Sequence, residues 1–419
     1  MVNVTWVVSD GCVQPTRAEW DRFRRYASWM RRLRLEPRSD VPGEVLHMIS
    51  DNLPNGILFP GLRDLSWTVQ PHTLPFYRLF LSPNLTEFLF SYVPLYGVDT
   101  PVEIFPTITS MIMELETLHL RVFRFFLRCP AQRCRSLEPA FSSAILRCGP
   151  SLKILSVPTP LSDAAVQHIM QLPNLTEWYT MNGPPRVSDL SPSGAFLKLD
   201  LLQLCEEASL GWLPLFEVTA RRTSSTQDAH IQSYHGPGQN LTTLECLVDV
   251  SVGAALVTPI MLFHGLVYLT IHSSCSDTSG CIFSLTDDDT EEITTALPRL
   301  KEAVFGWVCS VNSCRTTVSS LISFSTHCED LVYLEIHFNT TNLRNNLEPV
   351  LADLRLDNLP SSSERDPFIL SLSDAPISIS REDIGPVMKG FHRIFPSLDV
   401  IHGRSPALEE LNARLTDEV

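Results

Sequence analysis

Apolar residues recur along this chain in a short fixed pattern. A leucine is followed by two residues, a second apolar residue, one residue and a third apolar residue, and Pro-Gly, Pro-Asn or Pro-Ser often precedes the leucine. In the clearest copy, Leu331, Leu334 and Ile336 fill the three positions and Asn339 follows. Further copies begin at Leu62, Leu85, Leu115, Leu152, Leu175, Leu241, Leu266, Leu300 and Leu398.

This pattern predicts a short β-strand in each copy, because residues two positions apart lie on the same face of a strand. It matches the strand segment of leucine-rich repeats, whose units bury their apolar faces by stacking on one another. We therefore predict an α/β fold, a leucine-rich-repeat solenoid with a curved parallel β-sheet on the concave face, helices on the convex face and irregular repeats. Residues 1–40 form an N-terminal capping helix and first strand, and residues 41–419 form the solenoid, together one continuous domain.

The intervals between the copies predict helices on the convex side. Residues 161–172 have Ser162 in an N-cap position, and residues 286–297 have Thr286 in the same position. Acidic residues follow each cap and apolar residues recur at helical spacing, so both stretches are predicted to be helices.

Two intervals are much longer than the others and predict a further, degenerate copy in each. The best candidates for these strands are residues 213–218 and 351–356. Ser, Thr, Pro and Gly are frequent at residues 221–240 and 359–367, which predicts loops there.

The net charge and the hydropathy of the chain argue against several functional classes. The chain has 32 lysines and arginines against 47 acidic residues, and this net charge of −15 argues against a nucleic-acid-binding protein. No apolar stretch has transmembrane length, and the N-terminus lacks the regions of a signal peptide. The 11 cysteines are most simply interpreted as reduced thiols of a cytoplasmic or nuclear protein.

Motifs for catalysis and cofactor binding are missing from the sequence, which has no G-x-S-x-G, Walker-type loop, HExxH or paired CxxC. Cys275 with Cys281, and Cys309 with Cys314, could each supply half a metal site, but nothing completes either. Acidic residues 287–289 lie where a helix should begin, so we interpret them as a helix start rather than a cation site. We predict no enzyme activity, no catalytic residue, no metal and no cofactor.

Three N-x-S/T sequons coincide with the repeat pattern. At Asn84, Asn174 and Asn240, the first leucine of a repeat occupies the middle position of the sequon. Because that leucine should be buried, we interpret these sequons as part of the repeat rather than as glycosylation sites.

Several stretches carry a family resemblance. In the C-terminal half they are residues 285–289, 297–300, 309–317, 325–328 and 334–340, and in the N-terminal half residues 20–33, 58–67 and 160–165. Between residues 20 and 411 the chain resembles the F-box/leucine-rich-repeat protein family of mushroom-forming (basidiomycete) fungi. The resemblance implies an intracellular protein that acts through protein–protein interaction as a ubiquitin ligase adaptor.

Members of this family usually carry an F-box ahead of the first repeat, and it docks the linker subunit of a cullin-based ubiquitin ligase. Residues 41–54 resemble the first helix of that motif. Pro54, Asn55 and Gly56 then predict a turn, and the next repeat begins at Leu62, so three helices do not fit. We interpret residues 41–54 as a helix of a repeat, and expect the F-box to be missing through a truncated gene model or a real loss.

The residues between the leucines predict a partner-binding concave face, because they alternate to the opposite side of each strand. This face is acidic with several tyrosines, and we expect no lysine or arginine on it after the first repeat. We therefore predict a protein target with a basic surface or peptide, and neither nucleic acid nor membrane. The candidate residues are Asp64, Ser66, Glu87, Thr117, His119, Ser156, Glu177, Tyr179, Tyr268, Thr270, Glu302, Tyr333 and Glu335.

The N-terminal segment has the opposite charge. Residues 17–38 contain eight arginines and three acidic residues. Trp20, Phe23, Ala27 and Met30 predict an inward helical face with most arginines outside. A solvated capping helix and a docking site for an acidic partner both fit this pattern.

Two functions remain open. The resemblance implies a substrate-receptor-type, F-box-like component of an SCF ubiquitin ligase, which binds the linker subunit only if an F-box exists upstream. The alternative is a stand-alone leucine-rich-repeat scaffold that has lost ligase coupling. A GTPase-activating repeat protein would require a catalytic loop residue that we do not find.

Overall fold

The fold is α/β, with parallel β-strands that alternate along the chain with helices and turns. The computed structural model describes residues 15–35, 43–53, 56–92, 102–115, 118–127, 131–180, 199–205, 241–248, 260–261, 263–273, 285–305, 316–336, 347, 366–372 and 384–402. The chain divides into two compact units, Met1–Cys129 and Pro130–Val419.

Within each unit, every strand pairs in parallel with the strand that follows it in sequence. The strands of the first unit are β1 (Arg32–Leu35), β2 (Asp64–Val69), β3 (Glu87–Tyr92) and β4 (Val122–Leu127). Those of the second are β5 (Ile154–Val157), β6 (Glu177–Thr180), β7 (Leu201–Cys205), β8 (Thr243–Val248), β9 (Tyr268–Ser273), β10 (Glu302–Phe305), β11 (Tyr333–Ile336), β12 (Phe368–Ser371) and β13 (Leu398–His402). The predicted α/β class with a parallel sheet is confirmed.

Helices lie in the connections between strands. In the first unit they are α1 (Arg17–Trp29), α2 (Gly43–Asp51) and α3 (Phe105–Leu115), with 3-10 helices at Leu74–Leu79 and Val102–Ile104. In the second they are α4 (Ala131–Cys134), α5 (Glu138–Arg147), α6 (Asp163–Met170), α7 (Asp287–Ala296), α8 (Val318–His327) and α9 (Ile384–Ile394), with a 3-10 helix at Arg135–Leu137. The predicted helices at 161–172 and 286–297 are confirmed as α6 and α7.

The repeated apolar positions form the core. In the copy that contains β2, Leu62, Leu65, Trp67 and Val69 are all buried, and the strand residues between them are half-exposed. Burying one such side chain contributes about 1.5–3 kcal/mol, so a copy that buries four of them adds several times that amount.

The buried side of the strands faces helical segments. The ring of Phe305 in β10 lies 5.7 Å from that of Phe324 in α8, and Phe368 in β12 lies 4.2 Å from Phe395, which follows α9. In the first unit, Trp67 in β2 lies 5.2 Å from Phe80, directly after a 3-10 helix. The alternate strand residues project to the other side, which we call the open face.

The asparagine of the Asn-Leu-Thr phrase joins neighbouring repeats. Asn84 Nδ2 donates a hydrogen bond of 2.9 Å to the carbonyl of Pro60, and Asn174 Nδ2 donates one of 2.9 Å to the carbonyl of Pro150. Each acceptor lies in the turn of the preceding repeat. These asparagines therefore have a structural role, in agreement with our interpretation of the sequons as part of the repeat.

The threonine of the same phrase aligns the next strand. Thr86 Oγ1 donates to the carbonyl of Arg63 at 3.3 Å, and Thr176 Oγ1 donates to that of Lys153 at 3.1 Å. The Arg63 carbonyl also accepts the backbone N–H groups of Thr86 and Glu87. Three donors thus converge on one carbonyl, which fixes where the following strand begins.

Capping side chains begin α6 and α7 as the sequence predicts. Ser162 Oγ accepts a hydrogen bond from the backbone N–H of Ala165 at 3.3 Å. Thr286 and Asp289 form a reciprocal capping box, with distances of 3.1 Å and 2.9 Å from each backbone N–H to the other side chain. These contacts satisfy backbone donors that a helix start otherwise leaves without partners.

Asp287, in the acidic run 287–289, connects α7 to α8. Its carboxylate accepts the backbone N–H of Thr317 at 2.7 Å, the Thr317 hydroxyl at 2.6 Å and the Ser320 hydroxyl at 2.5 Å. The acidic run therefore caps two helices, which agrees with its interpretation as a helix start.

The register predicted for the third copy is wrong. Leu115 ends α3, and the strand that follows is β4, which begins at Val122. Leu120, Phe123 and Phe125 are buried and fill the three positions of the pattern. Because phenylalanines replace leucines there, a coincidental run of leucines five residues earlier fits the pattern better in sequence.

The strand in the first long interval is not the predicted one. β7 hydrogen-bonds to β6 and β8, so Leu201–Cys205 occupies the place we assigned to residues 213–218. Leu199 and Leu202 are buried, and with Leu204 they match the pattern. The sequence therefore contained this signal, and residues 213–218 lie outside the described residues.

The strand in the second long interval is also misplaced. β12 hydrogen-bonds to β11 and β13, in the place that we assigned to residues 351–356, which lie outside the described residues. An exposed proline, Pro367, stands where the first leucine is expected, so this copy lacks its most recognisable residue.

Within the segment 41–54, Gly43–Asp51 form helix α2, as predicted. Val45, Leu46 and Ile49 of α2 are buried. The described residues between α2 and β2 form no further helix before the strand begins.

Several predictions concern residues outside the described part of the chain. They include the loop at 221–240, most of the loop at 359–367, Thr117, and the cysteines at 275, 281, 309 and 314. The division into residues 1–40 and 41–419 also stays a prediction.

Candidate functional site

The open face of the second unit consists of aligned rows of residues. In a parallel sheet, residues at the same register position on successive strands lie side by side. The first row is Ile154, Glu177, Leu201, Thr243, Tyr268, Glu302, Tyr333, Ile369 and Val400. The second row is Ser156, Tyr179, Gln203, Glu245, Thr270, Val304, Glu335, Ser371 and His402.

The structure brings most of the predicted candidates of the second unit together. Glu177, Tyr268, Glu302 and Tyr333 fall in the first row, and Tyr179, Thr270 and Glu335 fall in the second. The closest grouping is Tyr268, Glu302 and Tyr333, which lie opposite one another on three adjacent strands.

These rows are accessible and acidic. Glu302 is exposed, Tyr268 is 39% exposed, and the other glutamates of the two rows are half-buried. Neither row contains a lysine or arginine, although Lys153 and Lys301 lie one residue ahead of β5 and β10. The face therefore presents negative charge interspersed with aromatic rings.

Two tyrosines of the face are held by glutamates on their own strands. The Tyr179 hydroxyl donates to Glu177 Oε2 at 2.8 Å, and the Tyr333 hydroxyl donates to Glu335 Oε2 at 2.9 Å. Both pairs are two residues apart and so share one side of a strand. The hydrogen bonds fix the orientation of the rings before any partner binds.

The negative charge of the face affects the pKa values of one group beside it and one group on it. Burial raises the pKa of Asp200, just ahead of β7, and the charge of Glu177 raises it further. Burial also raises the pKa of the Tyr333 phenol, as do its hydrogen bond to Glu335 and the nearby charge of Glu302. Both shifts favour the less negative form, as expected where acidic groups are crowded.

The open face of the first unit has mixed charge. Its first row is Arg32, Asp64, Glu87 and Val122, and its second row is Arg34, Ser66, Leu89 and Arg124. Arg32 Nε lies 2.6 Å from Asp64 Oδ2, so this acid already has a cationic partner.

Three predictions for the face are wrong. Arg124 in β4 contradicts the expected absence of cations after the first repeat. His119 is exposed but lies ahead of β4 rather than on it, because the register of that copy is shifted. Ser156 is in the second row but is 0% exposed, so a partner cannot reach it.

Two charged residues of the faces were not predicted, nor was Asp200, which lies one residue ahead of β7. Glu245 follows the buried Leu244 in a copy that the sequence analysis identified, so the pattern alone could have found it. Arg124 was hidden by the register error, and Asp200 belongs to a strand that the sequence analysis placed elsewhere.

Helix α1 has the predicted inward face. Ala27 is buried and Trp20 and Phe23 are half-buried, with their ring centroids 5.6 Å apart. On the outward side, Tyr26 and Trp29 are 59% and 63% exposed, among arginines.

Three cysteines and one histidine near the repeats are constrained by the surrounding structure. Burial raises the pKa of Cys148 to about 11 and that of Cys328 to about 12, so both thiols stay protonated at neutral pH. Both are free, but Cys134 is disulfide-bonded, and the interpretation of all cysteines as reduced is wrong for that residue. His327 Nδ1 contacts the carbonyl of Ser323 at 3.0 Å, which ties it to its own helix.

No protein-family model and no curated protein matches the chain. Within the described ranges, no helix is long and apolar enough to cross a membrane. The same part of the chain contains no group of three or more His, Cys, Asp or Glu residues arranged to hold a metal ion.

Proposed function

We propose that the chain is a leucine-rich-repeat solenoid that recognises a basic segment of a partner protein through the open face of its second unit. The observation that carries this proposal is the alignment of four glutamates and three tyrosines in two adjacent rows without a lysine or arginine. They are Glu177, Glu245, Glu302, Glu335, Tyr179, Tyr268 and Tyr333.

The solenoid part of the proposal is supported by the strand order and by the contacts between repeats. Within each unit, strands that follow one another in sequence are neighbours in the sheet, which is what stacked repeats produce. The hydrogen bonds of Asn84 and Asn174 to the preceding repeat have the same geometry in both units. In a solenoid the open face is the concave binding surface.

The recognition part follows from the chemistry of the face. Complementary charge accelerates the encounter of two proteins and disfavours partners of the same charge. Tyrosines supply large contact areas with little loss of conformational freedom, and they are enriched among residues that dominate binding energy. An acidic face with pre-oriented tyrosines suits a lysine- or arginine-rich segment.

A pair of matched charge reversals tests the proposal. Glu302 and Glu87 are both exposed, and both are the first residue of their strand, but they lie in different units. Binding of a fluorescent peptide of alternating glycine and lysine is measured by anisotropy for wild type, Glu302→Lys and Glu87→Lys. We expect Glu302→Lys to weaken binding by about tenfold, equivalent to about 1.4 kcal/mol, and Glu87→Lys to have a much smaller effect. Equal losses in both variants would contradict the proposal.

The family resemblance supports a more specific proposal, that this recognition selects substrates for an SCF ubiquitin ligase. The alternative is a stand-alone scaffold, which is favoured by the lack of a further helix among the described residues between α2 and β2. Expression of the complete gene product followed by capture of the ligase linker subunit distinguishes the two. Capture supports the ligase role, and binding of the basic peptide without capture of the linker supports the scaffold.

A further inference from the structure

We propose that Tyr268, Glu302 and Tyr333 form a site for one arginine side chain of the partner. The inference rests on the proposed function, since it names the side chain that the open face selects. It starts from the position of Glu302 on β10, directly opposite Tyr268 on β9 and Tyr333 on β11.

The spacing of the strands suits a guanidinium between the two rings. Neighbouring strands lie about 4.8 Å apart, so the Cα atoms of Tyr268 and Tyr333 are separated by about 9–10 Å across Glu302. A cation between them lies within the distance of about 6 Å from each ring centroid at which cation–π attraction operates. The carboxylate of Glu302 stands on the strand between the rings and supplies the opposite charge.

The two tyrosines contribute in different ways. Tyr333 is half-buried and its hydroxyl is bound to Glu335 at 2.9 Å, so its ring is a fixed wall of the site. Tyr268 is 39% exposed and can adjust to the ligand. Glu335 adds a second negative charge in the neighbouring row, which excludes an anionic ligand.

Arginine fits this arrangement better than lysine. The guanidinium group is planar, stacks on aromatic faces and binds a carboxylate through two parallel hydrogen bonds. The lysine ammonium is more strongly hydrated and presents no flat surface to the rings. The site is therefore expected to discriminate between two side chains of equal charge.

The test compares peptides that differ only in the basic residue. Binding of alternating glycine–arginine, glycine–lysine and glycine–citrulline peptides is measured for wild type, Tyr268→Ala and Tyr333→Phe. Wild type should bind the arginine peptide more tightly than the lysine peptide by about tenfold, because only the guanidinium both stacks on the rings and pairs with the carboxylate through two hydrogen bonds. The citrulline peptide should bind weakest, because it carries no positive charge.

The variants distinguish the contribution of the tyrosine rings to binding from that of the negative charge. Tyr268→Ala should remove the arginine preference and change lysine-peptide affinity by less than about threefold, because the lysine ammonium has no flat surface to stack on the ring. Tyr333→Phe keeps the ring and should retain the preference. Tyr26→Ala, which changes an exposed tyrosine of α1 in the first unit, is the matched control and should also retain it. Thermal unfolding of each variant shows that the fold is intact.

The outcomes distinguish this inference from the proposed function. If wild type binds the arginine and lysine peptides equally and Glu302→Lys weakens both, the arginine site is wrong and the basic-segment function stands. If Tyr268→Ala leaves the preference unchanged, the arginine site is likewise wrong. If wild type binds neither peptide, both proposals are wrong.

Discussion

The two units share one repeat pattern and differ in what they place on the open face. In the first unit, Arg32 and Asp64 pair at 2.6 Å, and Arg124 lies one row away, so much of the charge is balanced within the face. In the second unit, four glutamates occupy the two rows without a lysine or arginine among them. The leucine pattern determines which residues of a strand are buried, but it does not restrict the residues of the open face. The two units therefore differ in their open faces.

The cores of the two units also differ. In the first unit the inward residues of adjacent strands are aromatic, and the rings of Phe90 and Phe125 stack with centroids 4.2 Å apart. In the second unit the buried residues at the equivalent positions include Ile271 and Ile336, on either side of Phe305. The same spacing thus accepts either aromatic stacking or aliphatic packing.

The largest expected effect on stability comes from the aromatic core. Phe90→Ala should lower the free energy of unfolding by about 3–5 kcal/mol, because it removes a fully buried ring and its stacking contact with Phe125. Leu89→Ala, at a half-exposed position of the same strand, is the matched control and should cost far less. Urea unfolding followed by tryptophan fluorescence measures both. Similar losses in the two variants would show that the aromatic rings do not form the core of the first unit.

A smaller effect is expected where helices of the second unit are connected. Asp287→Ala removes the acceptor of three hydrogen bonds from Thr317 and Ser320 and should cost about 1–3 kcal/mol. Asp288→Ala alters the exposed neighbour and should be nearly neutral. If urea unfolding finds the two variants equally stable, Asp287 does not link α7 to α8.

The contacts that both units share should have equal and modest effects. Asn84→Ala in the first unit and Asn174→Ala in the second each remove one side-chain hydrogen bond to the preceding repeat. Each should lower the free energy of unfolding by about 0.5–1.5 kcal/mol. A loss confined to one variant would show that the asparagine contact is not common to the two units.

The smallest effect concerns pH. Tyr92 in the first unit has its pKa raised by burial alone, whereas the pKa of Tyr333 is also raised by Glu335. Because the folded protein holds the phenol proton more tightly, the contribution of Tyr333 to stability is complete below pH 10, its ordinary pKa, and is lost as pH rises through the folded value. Glu335→Gln should lower the pKa of Tyr333 and leave that of Tyr92 unchanged, as measured by ultraviolet absorbance of the phenolates with Tyr333→Phe as reference. A Tyr333 pKa unchanged by Glu335→Gln would contradict this difference.

The sequence predicted the buried side of the sheet better than the open side. Leucine spacing and helix caps are local signals, so Leu62, Ser162 and Thr286 were assigned correctly. The register of β4 was not, because aromatic residues replace leucine in that copy, and β12 was misplaced because Pro367 stands at its first position.

The candidate site depended on information that local patterns do not contain. The pairing of Arg32 with Asp64 requires knowing which strands are neighbours and in which register. The burial of Ser156 does not follow from its strand position, which alone predicts exposure. Tyr268, Glu302 and Tyr333 were each predicted, but their alignment across three strands came only from the fold.

Carboxylate footprinting tests the central difference between the units most directly. Exposed carboxylates are labelled with a carbodiimide and an amine in the absence and presence of the glycine–arginine peptide, and labelling is measured residue by residue by mass spectrometry. The account predicts that the peptide protects Glu302 and Glu335 and leaves Glu87 as reactive as before. Equal protection in the two units, or protection of Glu87 alone, would contradict the assignment of recognition to the second unit.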